Sequence, residues 1–268
     1  MDSNRRAALT AGVLFIVATA ASLLSTAIER PVVTGADYLT RIADNMSRVS
    51  AGGLLELVAA GASAGIAIAL YPVLRNQSRG LALGSVVFRA LEATGYAAGA
   101  VITLSLLKVA GQYTNAAAAD HASIRAIGDA LAGVRQDAIL AAVFAFVLGA
   151  LMYYFVFYRS RLVPRWLSGW GILAELLMLA ACLSALFTQH AVTSYTLLAL
   201  PIAVQEMVLA LWLIVRGFSP AAAASGSAQR STSAPPAPLP SPGKGQSWPA
   251  KPAPRTARDI DPAPVRQR

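Results

Sequence analysis

Six blocks of apolar residues, each close to the length of one membrane crossing, constrain this chain more than any other feature of its sequence. They run over about residues 7–28, 53–74, 81–109, 137–158, 166–187 and 193–215. A hydrocarbon core of roughly 30 Å needs about 20 residues of helix, and only helices or closed barrels satisfy their backbone hydrogen bonds inside it. Composition separates these blocks from the buried helices of a water-soluble protein: 13% of the chain is charged and 56% hydrophobic, whereas soluble domains carry about a quarter charged residues. The expected fold is therefore all-α, a polytopic membrane protein with a six-helix transmembrane bundle over residues 1–218 and a separate tail over 219–268.

The first block follows Arg5 and Arg6 and ends near the small residues Ala20, Ala21 and Ser22, as a secretory signal would. It is longer than the usual 7 to 15 apolar residues of a signal, so it is expected to remain as an anchor. Lys and Arg counts give the orientation. Fifteen fall at the N-terminus, the even-numbered loops and the C-terminal region, against Arg30, Arg41, Arg48, Arg125 and Arg135 on the other side. Both termini are thus expected in the cytoplasm, with the chain in the cell (inner, or plasma) membrane. Tyr71, Tyr153, Tyr154, Tyr158, Trp166 and Trp170 collect at the expected inner ends, where amphipathic rings favour the interface. The net charge of +9 is accounted for by this asymmetry beside an anionic leaflet. The expected partner is the lipid bilayer and not nucleic acid.

From Pro220 onward the chain holds eleven of its fifteen prolines, seven basic residues and two acidic ones. Such a segment buries too little apolar surface to offset the entropy of ordering, so a disordered tail is expected. Between the first two blocks, Tyr38, Leu39, Ile42, Met46 and Val49 recur at helical spacing, which predicts a short interfacial helix. The alanine-rich third loop is also compatible with helix. The lone Cys182 excludes an intrachain disulfide. His121 and His190 lie far apart without metal-ligand spacing, and no GxSxG, P-loop or HExxH motif occurs. No metal, no cofactor and no catalytic residue is expected.

The informative residues are charges inside the blocks. Arg89 and Glu92 are three apart in the third block and share one helix face, beside Gly95 and Gly99, which allow a neighbouring helix to approach closely. At ~1.5 Å per residue they lie roughly 12 and 17 Å from the start of that span. Glu175 of the fifth block and Glu206 of the sixth fall at a similar depth, and Pro201 frees the carbonyl of Leu197 nearby. One arginine cannot balance three carboxylates in low dielectric. Arg89 is expected to pair with one of them, while Glu175 or Glu206 holds a proton. Glu56 and Lys108, nearer the outer surface, form a second expected pair.

The R-x-x-E of the third span (Arg89, Glu92), PRWLSGWG at the start of the fifth (Pro164 to Gly171) and EMVLALWLIVRGF closing the sixth (Glu206 to Phe218) together resemble a family of bacterial integral membrane proteins, the domain of unknown function 4386. The resemblance covers about residues 5 to 218 and implies a six-span membrane protein without implying an activity. Two functions therefore stand on the residues alone: transport or sensing of a proton or small solute at Arg89, Glu92, Glu175 and Glu206, or a non-transporting scaffold whose buried charges only fix helix packing. A water-reachable cavity beside the four residues favours the first, and direct pairing favours the second.

Overall fold

The computed structural model describes residues 3–219. The expectations for the tail fall outside the described residues. Among the described residues seven α-helices form: α1 (Ser3–Val33), α2 (Tyr38–Asp44), α3 (Met46–Leu74), α4 (Arg79–Asn115), α5 (His121–Ser160), α6 (Arg165–Thr188) and α7 (Thr196–Val215). All but α2 are long and apolar enough to cross a membrane, and the chain is accordingly an all-α, multi-pass membrane protein. Large apolar side chains such as Leu23, Leu54, Ile68, Leu104, Leu173, Leu186 and Leu211 are exposed on the outside of the bundle. Surfaces of that kind suit lipid and not water.

The six long helices pack as a closed ring in chain order, α1 on α3, α3 on α4, α4 on α5, α5 on α6, α6 on α7, and α7 back on α1. Closure is tight where Gly12 of α1 faces Ala210 and Ile214 of α7; a β-carbon there would lie 2.8 Å from the Ala210 carbonyl oxygen. Arg5 fastens the same seam. Its guanidinium donates to the carbonyls of Leu213 (3.2 Å) and Ile214 (2.7 Å), the last turn of α7, where a helix has carbonyls without partners and favours positive charge. Both chain ends of the bundle thus lie at one end of it, hereafter the terminal end.

Several helices outrun their apolar blocks. α3 starts at Met46, α4 continues to Asn115, and α5 starts at His121, so the alanine-rich third loop is mostly helix. Hydropathy marks the hydrocarbon-level part of a helix and is blind to its polar extensions. The predicted interfacial helix is α2, shorter than the spacing suggested because Met46 and Val49 already belong to α3. α2 buries Tyr38, Leu39 and Ile42 against Leu106, Val109 and Ala110 of α4, sealing the far end of the ring. The terminal half is filled by a core that includes Phe15, Leu70, Tyr153, Tyr154, Phe157, Leu167 and Leu209. Polar groups occupy the layers between these two apolar plugs.

Candidate functional site

One face of α4 organises the polar layers. Ser85, Arg89, Glu92, Gly99 and Thr103 are all buried, at spacings of three, four and seven residues that keep them on the inward stripe of the helix. Gly149 of α5 and Gly95 of α4 let the two backbones close on each other beside Arg89: a β-carbon on Gly149 would lie 3.4 Å from the Arg89 side chain, and one on Gly95 would lie 3.2 Å from the carbonyl oxygen of Ala138.

Arg89, 2% exposed, is the hub. Its Nη1 donates to Glu92 Oε2 at 2.9 Å and to Ser63 Oγ at 3.1 Å, while Nη2 donates to the Tyr153 hydroxyl at 3.3 Å. Glu206 Oε1 stands 3.7 Å from Nη2, and its other oxygen accepts a hydrogen bond from Thr19 at 3.0 Å. The guanidinium also lies over the rings of Phe146 (4.8 Å) and Tyr153 (5.6 Å). A single cation thereby ties together residues from α1, α3, α4, α5 and α7. Removing it would leave two carboxylates in a site with little water to replace it.

Glu175 supplies the sixth helix of the ring and behaves differently. It is fully buried, and neither of its carboxyl oxygens has a hydrogen-bond partner. Glu206, Arg89 and Glu92 are the charges that act on it. Its neighbours on the terminal side are satisfied: Tyr154 donates to Gln205 Oε1, and Gln205 Nε2 donates to the Leu167 carbonyl at 3.1 Å. Buried polar atoms are almost always hydrogen-bonded, so an enclosed carboxyl with neither oxygen engaged stands out.

A second cluster lies further along α4. Arg135 Nη2 bridges Glu29 Oε2 at 2.7 Å and Glu56 Oε2 at 3.1 Å, and its Nε donates to Thr103 Oγ1 at 2.7 Å. Gly52 makes room for the Glu29 side chain, because a β-carbon there would overlap it. Ser25 donates to the Gly52 carbonyl at 2.9 Å and holds α1 against α3 at the same level. Again one arginine faces more carboxylate than it can neutralise.

Of the expected residues, Arg89, Glu92 and Glu206 are brought into one ion-paired group, and Glu175 sits buried among their charges. The expected pairing of Glu56 with Lys108 is corrected: Glu56 pairs with Arg135, and Lys108 is exposed. The reason is register. Lys108 is five residues beyond Thr103, which turns it away from the inward stripe. Glu29 and Arg135 were missed because they sit just outside the apolar blocks. The freed carbonyl at Leu197 does not join the site either, since Pro201 falls early in α7 and Leu197 is exposed. Among the described residues no group of three or more His, Cys, Asp or Glu side chains could hold a metal ion.

The family model for the domain of unknown function DUF4386 matches residues 10–217. That stretch contains every residue of both clusters. No curated protein and no solved structure matches the chain.

Proposed function

The chain belongs to the DUF4386 family, and we propose that its buried charges handle protons, with Glu175 as the carboxyl that takes up and releases one. The observation that carries this reading is the fully buried Glu175 carboxyl with neither oxygen hydrogen-bonded. Arg89, Glu92 and Glu206 are the charges around it, so a change in their pairing alters the field at Glu175. Ionisable groups facing a bundle interior mark ion and proton pathways more often than they serve lipid-level packing. A proton needs no cavity of its own, which suits a site where Arg89, Glu92 and Glu206 are already closed on one another.

The proposal extends to placement. Among the described residues, Arg5, Arg6, Arg75, Arg79, Arg159, Arg161, Arg165 and Arg216 at the terminal side against Arg30, Arg41, Arg48, Arg125 and Arg135 at the other support cytoplasmic ends and residence in the inner (plasma) membrane of a bacterial cell. Bilayer and proton are the partners on this reading, and nucleic acid has no part in it.

The test is difference infrared spectroscopy on the purified full chain in lipid, titrated from about pH 5 to 9, a range bracketing the titration of perturbed carboxyls. The reading requires a carboxyl band that titrates in the native chain and disappears in Glu175→Gln. A native chain without such a band ends it.

A second reading is a membrane scaffold whose charges fix helix packing. Direct closure of Arg89 on Glu92 and Glu206 favours it. It predicts that Glu175→Gln leaves the infrared difference spectrum unchanged.

A further inference from the structure

The terminal end of the bundle holds a cleft of about 570 Å³ between the turn that joins α5 to α6 and the segment that follows α7. The Ser219 amide ties the two segments together by donating to the Leu162 carbonyl at 2.9 Å. Leu162, Val163 and Phe218 line the cleft and belong to the buried apolar core, whereas Arg161, Arg165 and Arg216 line it and are exposed. No Asp or Glu lines it. None of the three arginines has an ion pair among the described residues. The far cluster of Glu29, Glu56 and Arg135 is at the other end of the helices and supplies no counter-charge here.

Two of these cations rest on aromatic rings. Arg165 lies over the Tyr158 ring at 5.5 Å and Arg216 over the Trp212 ring at 5.9 Å. Stacking engages the flat face of a guanidinium and leaves the N–H groups on its edge, the part that pairs with phosphate. Arg165 also opens α6, whose N-terminus has no side-chain cap and carries partial positive charge. A cation is disfavoured at that end of a helix, and an anion is favoured. The chain from Pro220 onward is a poor source of that anion, since it carries seven basic residues against two acidic ones. The flank of the cleft is apolar: Trp166 beside Arg165, and Leu211 and Val215 beside Trp212 and Arg216, are all exposed. A soluble anion would leave that flank bare, whereas a phospholipid covers it with its acyl chains.

We propose that the cleft binds an anionic phospholipid of the leaflet at the terminal end, its phosphate held by Arg161, Arg165 and Arg216 and its acyl chains laid along Leu211 and Val215 of α7. The bound lipid bridges the turn between α5 and α6 to the end of α7, the helix that closes the ring. Neither polar cluster takes part in the site.

Native mass spectrometry of the full chain, released from micelles holding phosphatidylglycerol and phosphatidylcholine in equal amounts, tests the site. The native chain is expected to hold one phosphatidylglycerol about a hundredfold more tightly than phosphatidylcholine, as three cations beside an anionic headgroup imply. Arg161→Gln combined with Arg216→Gln is expected to weaken phosphatidylglycerol about thirtyfold. Arg6→Gln combined with Arg79→Gln removes the same charge at the same end, outside the cleft, and is expected to change it by less than about threefold. Arg161→Gln alone, in an exposed turn, is expected to cost about fivefold and serves if the double variant does not fold. Equal retention of the two lipids by the native chain overturns the proposal. An equal loss in the two double variants also overturns it, because the attraction then belongs to the whole basic end. Displacement of phosphatidylglycerol by inorganic phosphate assigns the cleft to a soluble anion and overturns it as well.

Discussion

Gly52 of α3 faces the Glu29 side chain of α1 so closely that a β-carbon there would overlap it. The glycine is therefore part of the far cluster although it carries no charge. Gly52→Ala is expected to push Glu29 off Arg135 and to destabilise the bundle by about 1–3 kcal/mol, the usual cost of overpacking. Gly61→Ala on the same helix meets open space and is expected to stabilise by about 0.5–1 kcal/mol through helix propensity. Chemical unfolding in mixed micelles distinguishes the two.

Arg89→Ala is expected to cost about 3–5 kcal/mol, because Glu92 and Glu206 then face each other without a cation. Adding Glu206→Gln should recover part of that loss. A double-mutant cycle on unfolding free energies reads the coupling directly, and strict additivity would show that the 3.7 Å pair contributes nothing.

Glu175 makes no side-chain hydrogen bond that its removal would break. Glu175→Leu is accordingly expected to leave the fold intact and to raise stability by about 1–3 kcal/mol, the cost of an unsatisfied buried polar group. A loss of stability in that variant would reveal an unseen partner for the carboxyl.

Arg135 and Lys108 make a matched comparison. Arg135→Gln strips the cation from two buried carboxyls and is expected to destabilise by about 3 kcal/mol. Lys108→Gln should lie within about 0.5 kcal/mol of the native chain.

At the far end, burial first and the hydrogen bond to Asp129 second push the Tyr38 phenol above its ordinary range. A raised folded-state value means that the folded chain holds this proton after the unfolded chain has released it. The contribution of Tyr38 is thus fully present below pH ~10, the unfolded value, and is lost as pH climbs beyond it. Tyr38→Phe is expected to lose about 1 kcal/mol at neutral pH and to flatten the alkaline decline in unfolding midpoint.

The bundle was legible in the sequence because apolar blocks of membrane length have few other folds open to them. Arg89 and Glu92 were legible as a shared face because three residues nearly complete a helical turn, and Glu175 and Glu206 because depth follows from counting residues. Pairing was not legible. Helix periodicity gives the face of each residue, but which neighbour that face meets depends on how the ring closes. Arg135 was counted as a loop charge because the hydropathy of α5 rises only near Asp137, yet α5 begins at His121. Lys108 shows the opposite error, in which depth alone was used and register was not. Laying the buried positions of α4 on a helical wheel with Glu92, Gly99 and Thr103 inward places Lys108 outside.

The ring closed by α7 sets an order on biosynthesis. Glu206 and Gln205 leave the ribosome last of the buried polar groups among the described residues, and Thr19 and Arg5 wait for their acceptors across almost the entire bundle. Until α7 inserts, Arg89 has Glu92 on its own helix but not Glu206, and the seam between α1 and α7 lies open to lipid or to the insertion machinery. A chain stalled before residue 206 therefore presents quality control with a five-sixths ring in which Thr19 and Arg5 lack their acceptors, a signature that the finished protein hides.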